Sequence, residues 1–238
     1  SLSVFQKEAI VASSRTGLVW RLASDEGPYL DGHDEASCPL SFLTVGMIAS
    51  YMNEIMALAK QQGLVIRQIR LIQDNYYTME GSMRKRTMVG GALPVELTVE
   101  IDCDLDDAAL NALLLNAIAA SPINGLMRGK LESLFALSKN SCQIELGKSK
   151  PIEGLLYGDP ENKFDGYEAK GSVLNEPIVE PVGVTPKKEI PGGTSAAGSS
   201  LADEQSRTLN IGGICTLRED GIKEITQLQY SPHGTSFK

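Results

Sequence analysis

The chain has 238 residues and a formal net charge of −8, from 22 Lys and Arg against 30 Asp and Glu, and 42% of its residues are hydrophobic. This composition is typical of a soluble globular protein with one large domain or two small ones. The acidic balance, with no basic tract, excludes the usual nucleic-acid-binding classes, and no apolar run reaches the roughly 20 residues that a membrane span requires.

The four cysteines exclude a compact zinc module. Cys38, Cys103, Cys142 and Cys215 are widely separated and form no C-x-x-C pair, and the chain has only two histidines. A structural zinc site needs four ligands on short spacings. We therefore expect no metal and no cofactor, and the scattered thiols predict a reducing, cytoplasmic location.

Short strands are expected within residues 5–30, and the strongest helical segment of the chain follows them. Pro39 suits the first position of a helix because its missing N–H is not needed there, which makes Cys38 the N-cap. Within residues 40–62, apolar residues occupy most faces of the predicted helix, and Gly63 is a typical helix terminator. This pattern predicts a long helix that is buried on several faces.

Two long strands are predicted next, at residues 65–77 and 94–104. The second strand alternates between apolar and polar residues, which predicts one face on a core and one face in water. Residues 81–91, between the two strands, are predicted to form a solvated hairpin loop.

Two further helices and a short strand complete this part of the chain. Asp106 or Asp107 is the predicted cap of the first of these helices, which ends near residue 119. Ser121 and Pro122 open the other, which is predicted to end near residue 137. A strand is predicted at residues 141–146.

The element order predicts three regions. Residues 1–158 form an α+β domain, residues 159–206 a linker rich in Pro and then in Gly and Ser, and residues 207–238 a β-hairpin with an Asp-Gly turn. The last eight residues share the pattern Ser-x-x-Gly-x-x-aromatic-basic with residues 14–21. The hairpin is therefore either the start of a second copy of the domain or the completion of the first domain's sheet.

The motifs that open two of the predicted helices are Cys38-Pro39-Leu40-Ser41-Phe42-Leu43 and Ser121-Pro122-Ile123-Asn124. Together they resemble the OsmC/Ohr family of osmotically inducible and organic hydroperoxide resistance proteins, over about residues 14–147. The resemblance implies an antiparallel sheet wrapped around a long buried central helix, in a swapped homodimer or, for a tandem chain, a pseudo-dimer. Members of the family are thiol peroxidases that reduce organic hydroperoxides.

The resemblance also implies where the family's catalytic residues fall in this sequence. The peroxidatic cysteine corresponds to Ser50, the resolving cysteine to Ser121 and the glutamate to Leu40. The arginine corresponds to Arg15 or to Arg21. Because a serine hydroxyl is scarcely ionised near neutral pH and forms no sulfenic acid, we expect an OsmC-like protein that is not itself an active peroxidase.

The sequence leaves two other functions open. An apolar pocket at Met47, Ser50 and Tyr51 is expected to persist and to suit a small hydrophobic ligand. Alternatively, the chain is part of a peroxidase whose cysteines lie in a second half. A serine hydrolase is disfavoured, because His33 is the only histidine of the predicted domain and no nucleophile-elbow motif is present.

The cysteines themselves are expected to be mainly structural. Cys103 and Cys142 alternate with apolar residues on strand faces, which predicts burial, and Cys215 is also predicted to be structural. Cys38 is either a plain N-cap residue or a reactive thiol whose pKa is lowered by the helix N-terminus.

Overall fold

The computed structural model describes residues 5–12, 19–26, 33, 35–82, 84–129, 132, 134–140, 142–147, 177–184, 204–227 and 233–238. Its elements in chain order are β1 (Lys7–Ala12), β2 (Val19–Ser24), α1 (Pro39–Gln61), β3 (Ile66–Gly81), β4 (Val89–Ala92), β5 (Glu96–Cys103), α2 (Asp107–Ala120), α3 (Pro122–Arg128), β6 (Ser138–Lys139), β7 (Cys142–Gln143), β8 (Val179–Val184), β9 (Gln205–Leu217), β10 (Lys223–Gln227) and β11 (His233–Phe237). Every strand pair among them is antiparallel, so the predicted α+β class is confirmed.

The helix α1 begins and ends where the sequence predicts. Cys38 is the N-cap with an extended backbone, and Pro39 is the first helical residue. Beyond the last turn, Gly63 takes a φ of +68°, a left-handed conformation that is costly for residues with a Cβ. The helix boundaries therefore follow from local backbone chemistry.

The side chains of α1 form the centre of the core. Met47, Ile48, Met52 and Ile55 are at most 1% exposed. They belong to one cluster with buried residues of β3, α2, β9, β10 and β11, namely Ile69, Leu71, Ala117, Cys215, Ile225 and Phe237. Complete burial of such apolar side chains contributes about 1.5–3 kcal/mol each. This packing confirms that the helix is buried on several faces.

By length and composition alone, α1 is apolar enough to cross a membrane, and the bent pair of α2 and α3 passes the same test. The expectation that no segment reaches this level is therefore wrong for these helices. The core helix of a soluble protein passes the same test, so the result is weak support for a span. Within the described residues, α1 buries its most apolar side chains against the sheet and α2.

The long strand β3 organises the main sheet. The strand order is β4-β3-β9-β10-β11-β8, and β5 pairs with β3 beside β4. The β3–β9 ladder runs from Arg70 opposite Thr216 to Gly81 opposite Gln205. The second strand of the predicted pair, β5, shows the expected alternation of half-buried and exposed residues.

The C-terminal strands complete the sheet that surrounds α1, which is one of the two alternatives left open by the sequence. Besides the β3–β9 ladder, Phe237 of β11 packs edge-on against Phe42 of α1, with ring centroids 5.5 Å apart. That these strands also begin a second repeat stays a prediction. So do the domain boundaries at residues 158 and 206.

Part of the predicted linker is a strand. Val179–Val184 forms β8 at the edge of the main sheet, so the linker prediction for residues 159–206 is wrong at these positions. Pro181 lies opposite Thr235, where the register shifts, and an edge strand tolerates a residue that has no N–H to donate. Residues 159–176 and 185–203 lie outside the described part of the chain.

The helix α3 is shorter than predicted. It ends at Arg128, and Gly129 has an extended backbone, whereas the apolar pattern predicted a helix to about residue 137. No residue of α3 is fully buried, so no packing favours its extension. The strand predicted at 141–146 is reduced to the two-residue strand β7, paired with β6.

Candidate functional site

Two serines from distant parts of the chain meet inside the protein. The Oγ atoms of Ser50, on α1, and Ser121, between α2 and α3, lie 2.8 Å apart in a buried hydrogen bond. Ser121 is 1% exposed. The two positions that the resemblance assigns to the peroxidatic and resolving cysteines are therefore in direct contact.

Local structure holds Ser121 in this place. Its backbone is extended, as expected for a residue before proline, and it joins the end of α2 to the start of α3. Its N–H donates to the carbonyl of Ala117 at 3.1 Å, and its Oγ accepts a hydrogen bond from the N–H of Asn124 at 3.2 Å. Ser121 is thus both the N-cap of α3 and the partner of Ser50.

The serine pair lacks a base. In the described part of the chain, the two hydroxyls bond to each other and to the backbone of α3, and to no histidine or carboxylate. A nucleophilic serine needs such a base within hydrogen-bonding distance. The geometry therefore provides neither a thiolate nor an activated hydroxyl.

Of the other positions implied by the resemblance, the structure describes Leu40 and Arg21, and neither bonds to the serine pair. Leu40 lies in the first turn of α1, ten residues and about 15 Å along the helix from Ser50. Arg21 lies on β2, where its guanidinium forms an ion pair with Glu8 of β1 at 3.2 Å. Arg15 lies outside the described residues.

The thiols differ from the predictions in two places. Cys38 is buried, and burial raises its pKa despite a contact of 3.4 Å with the Oγ of Ser41, so the lowered pKa of a reactive thiol is not found. Cys142 is exposed rather than buried, because β7 pairs only with the equally short β6, and Cys103 is half-buried. Cys215 is buried as predicted, which raises its pKa to about 12.

A cavity of about 530 Å³ lies beside the serine pair. The predicted pocket residues Met47 and Tyr51 line it, whereas Ser50 does not. The remaining lining residues come from β3, β4, β5, the segment between those last two strands, and both short helices: Asn75, Tyr76, Tyr77, Ala92, Leu93, Pro94, Val95, Leu97, Ile118, Asn124, Met127 and Arg128. The serine pair adjoins the cavity through α3, which Ser121 caps.

Asn75 and Tyr77 of β3 form a polar wall of the cavity, and Gln73 of the same strand is bonded to Asn75. The amide of Gln73 donates to Asn75 Oδ1 at 2.8 Å, and Asn75 Nδ2 donates to the hydroxyl oxygen of Tyr77 at 3.0 Å and to Met47 Sδ at 3.4 Å. Sequence reasoning missed these residues. The sequence did contain a signal for them. Gln73 and Asn75 are polar, although they follow Leu71 on a strand face that is otherwise apolar.

Tyr51 presents a hydroxyl that no side chain uses. The residue is 4% exposed, and within the described part of the chain its hydroxyl makes no hydrogen bond. Burial raises the pKa of Tyr51, so the group stays protonated and remains a donor. Since Tyr51 lines the cavity, this hydroxyl can donate to a water or a ligand there.

A second, larger cavity of about 710 Å³ differs in its charges. Its arginines are paired with carboxylates: Arg67 with Asp102 at 2.6 Å, and Arg70 with Glu100 at 2.9 Å. A third lining arginine, Arg218, pairs with Asp220 at 2.7 Å, so all three arginines of this lining are already paired with carboxylates.

Comparison with known proteins gives only remote similarities. No protein-family model and no curated protein matches the chain. An OsmC-like hydroperoxide resistance protein from Jannaschia sp. CCS1 is similar in structure over 58% of this chain and 88% of its own, at 18% identity and a TM-score of 0.43. An organic hydroperoxide resistance protein, OsmC, from Legionella pneumophila is similar over 54% of this chain and 92% of its own, at 19% identity and a TM-score of 0.37.

Proposed function

We propose that this chain is an OsmC-like protein related to oxidative-stress resistance that has no thiol peroxidase activity of its own. The observation that carries the proposal is the 2.8 Å contact between Ser50 and Ser121. These residues are 71 positions apart in the chain, and they are the two positions that the resemblance assigns to the family's catalytic cysteines. The two side chains are thus in contact, as a catalytic pair would be, but both are serines and neither supplies a sulfur atom.

Neither of the two buried cysteines replaces the missing thiols. Peroxide reduction needs a thiolate that attacks the O–O bond, and a second thiol that resolves the sulfenic acid. Cys38 lies twelve residues before Ser50, about 18 Å along the helix, and its raised pKa disfavours the thiolate. Cys215 is buried and its pKa is raised further, to about 12.

We expect the purified chain to show no catalytic consumption of cumene hydroperoxide with dihydrolipoamide as reductant. The measurement is the steady-state rate of peroxide loss, compared with the same protein after alkylation of its accessible thiols. Turnover in the usual enzyme range, about 1–10³ s⁻¹, that alkylation abolishes would contradict the proposal.

The cavity of about 530 Å³ favours a second candidate function, the binding of a small apolar ligand. Its volume falls within the range of about 300–1,000 Å³ typical of ligand pockets, and more than half of its lining residues are apolar. Polar groups are few and fixed, as in the Gln73–Asn75–Tyr77 chain of hydrogen bonds.

Filling the cavity is expected to abolish binding of a simple apolar probe. We expect 1-octanol to raise the melting temperature of the wild type, since a ligand at a hundredfold excess over Kd stabilises by about 2.7 kcal/mol. Ala92→Trp, in the cavity wall, should remove the rise, whereas Ala57→Trp, on the exposed face of α1, should keep it. A rise of equal size in both variants would place the binding elsewhere.

A further inference from the structure

Among the described residues, the lining of the 530 Å³ cavity includes one ionised side chain and no carboxylate. Arg128, the last residue of α3, supplies the positive charge, although the chain as a whole carries a net charge of −8. Because Arg128 is exposed and also lines the cavity, it lies where the cavity meets solvent. The described lining thus carries a positive charge, although Tyr76 of the same lining donates to the carboxylate of Glu96 at 3.2 Å.

Arg128 also differs from the arginines of the larger cavity in having no carboxylate partner. Among the described residues it forms no ion pair, whereas Arg67, Arg70 and Arg218 are each paired at 2.6–2.9 Å. A guanidinium offers five N–H donors in a planar fork that matches a carboxylate. Its capacity for an anionic partner is thus unused.

The interior of the cavity adds uncharged donors. The hydroxyl of Tyr51, on a residue that is 4% exposed, makes no hydrogen bond among the described residues. The hydroxyl oxygen of Tyr77 accepts from Asn75, which leaves its own proton free to donate. Both groups complement a ligand whose polar atoms are acceptors, and an ionised carboxylate is such a group.

We propose that this cavity binds a carboxylate-bearing amphiphile of medium chain length. Arg128 supplies the charge for the carboxylate, Tyr51 supplies an uncharged donor, and the apolar chain lies against the wall that includes Met47 and Leu97. The proposal rests on the second candidate function, ligand binding in the cavity, and adds the chemical class of the ligand. It does not depend on the absence of peroxidase activity.

The test compares three probes with the same eight-carbon chain and different head groups: octanoate, 1-octanol and octyltrimethylammonium. Calorimetric titration of the full chain is expected to give a Kd for octanoate at least about tenfold lower than for 1-octanol, since a charge-assisted hydrogen bond is stronger than a neutral one. The cationic probe should bind most weakly. Arg128→Gln should remove the preference for octanoate and leave the Kd of 1-octanol unchanged.

Two further variants make the result specific. Arg84→Gln removes a charge from an exposed loop that lies outside the cavity lining, and should leave the preference for octanoate intact. Tyr51→Phe, which keeps the ring and removes only the hydroxyl, should weaken octanoate binding about three- to tenfold.

The outcomes distinguish ligand binding in the cavity from recognition of the carboxylate. Equal affinity of the wild type for octanoate and 1-octanol would overturn recognition of the carboxylate while the cavity still binds apolar ligands. Tight octanoate binding that survives Arg128→Gln would overturn the role of Arg128. Failure of all three probes to bind would overturn both the inference and the second candidate function.

Discussion

Replacing Ser50 and Ser121 together by cysteine is expected to create a chain that organic hydroperoxide converts to an intramolecular disulfide. The side chains already touch, with their Oγ atoms 2.8 Å apart. A thiolate at one position attacks the O–O bond and becomes a sulfenic acid while an alcohol leaves, and the second thiol then forms the disulfide with loss of water. The wild type should form no cross-link between these helices.

The measurement is peptide mapping of the cross-link after treatment with one equivalent of cumene hydroperoxide, with the accessible Cys103 and Cys142 replaced by serine. Ser50→Cys alone is the matched control, and it should stop at the sulfenic acid, which a dimedone probe labels. If the double variant keeps its circular dichroism spectrum and both new thiols stay reduced, the two positions cannot act as a peroxidatic and a resolving thiol. In that case the proposed relationship to the peroxidases loses its main support.

Shortening one side chain in the C-terminal hairpin is expected to destabilise the whole protein. Ile225 of β10 is 3% exposed and belongs to the core cluster that includes Met52 and Ile55 of α1. Ile225→Ala leaves a cavity in this cluster and should lower the free energy of unfolding by about 2–5 kcal/mol. Urea denaturation followed by circular dichroism measures this loss.

The control is Ile214→Ala on β9, which lies opposite Thr226 of β10. Ile214 is half-buried and lies outside the core cluster, so the loss should be less than half as large. If Ile225→Ala melts the hairpin alone and leaves the α1–β3 unit unchanged, the C-terminal strands form a separate unit. A single cooperative transition at a lower urea concentration is the expected result.

Several elements were predictable because their signals are local. The first and last turns of α1 depend on Pro39 and Gly63, whose backbone preferences are properties of single residues. The cap at Ser121 and the alternation of β5 are equally local, and both are found in the structure. The end of α3 was missed because its apolar pattern continues after Arg128, where no packing surface supports the helix.

The candidate site was predictable only in part. The resemblance singled out Ser50 and Ser121. Met47 and Tyr51, which were predicted at an apolar pocket with Ser50, line the cavity of about 530 Å³, whereas Ser50 does not. Arg128 and the polar wall were missed, since no spacing in the sequence relates the end of α3 to the middle of β3. For Cys38 the sequence left open a plain N-cap residue or a reactive thiol with a lowered pKa, and burial, which depends on residues packed from elsewhere, raises that pKa.

By itself, the sequence determined the α+β class, the long core helix and its caps, and it predicted Ser50 and Ser121 at the two cysteine positions that the resemblance implies. These features depend on residue identity and on neighbours within a few positions. Only the tertiary structure decided that Val179–Val184 and the C-terminal strands join the sheet that packs on α1, that the two serines touch, and that Arg128 lines a cavity and has no carboxylate partner among the described residues. Contacts between residues far apart in the chain depend on how the whole core packs, and no local pattern encodes that packing.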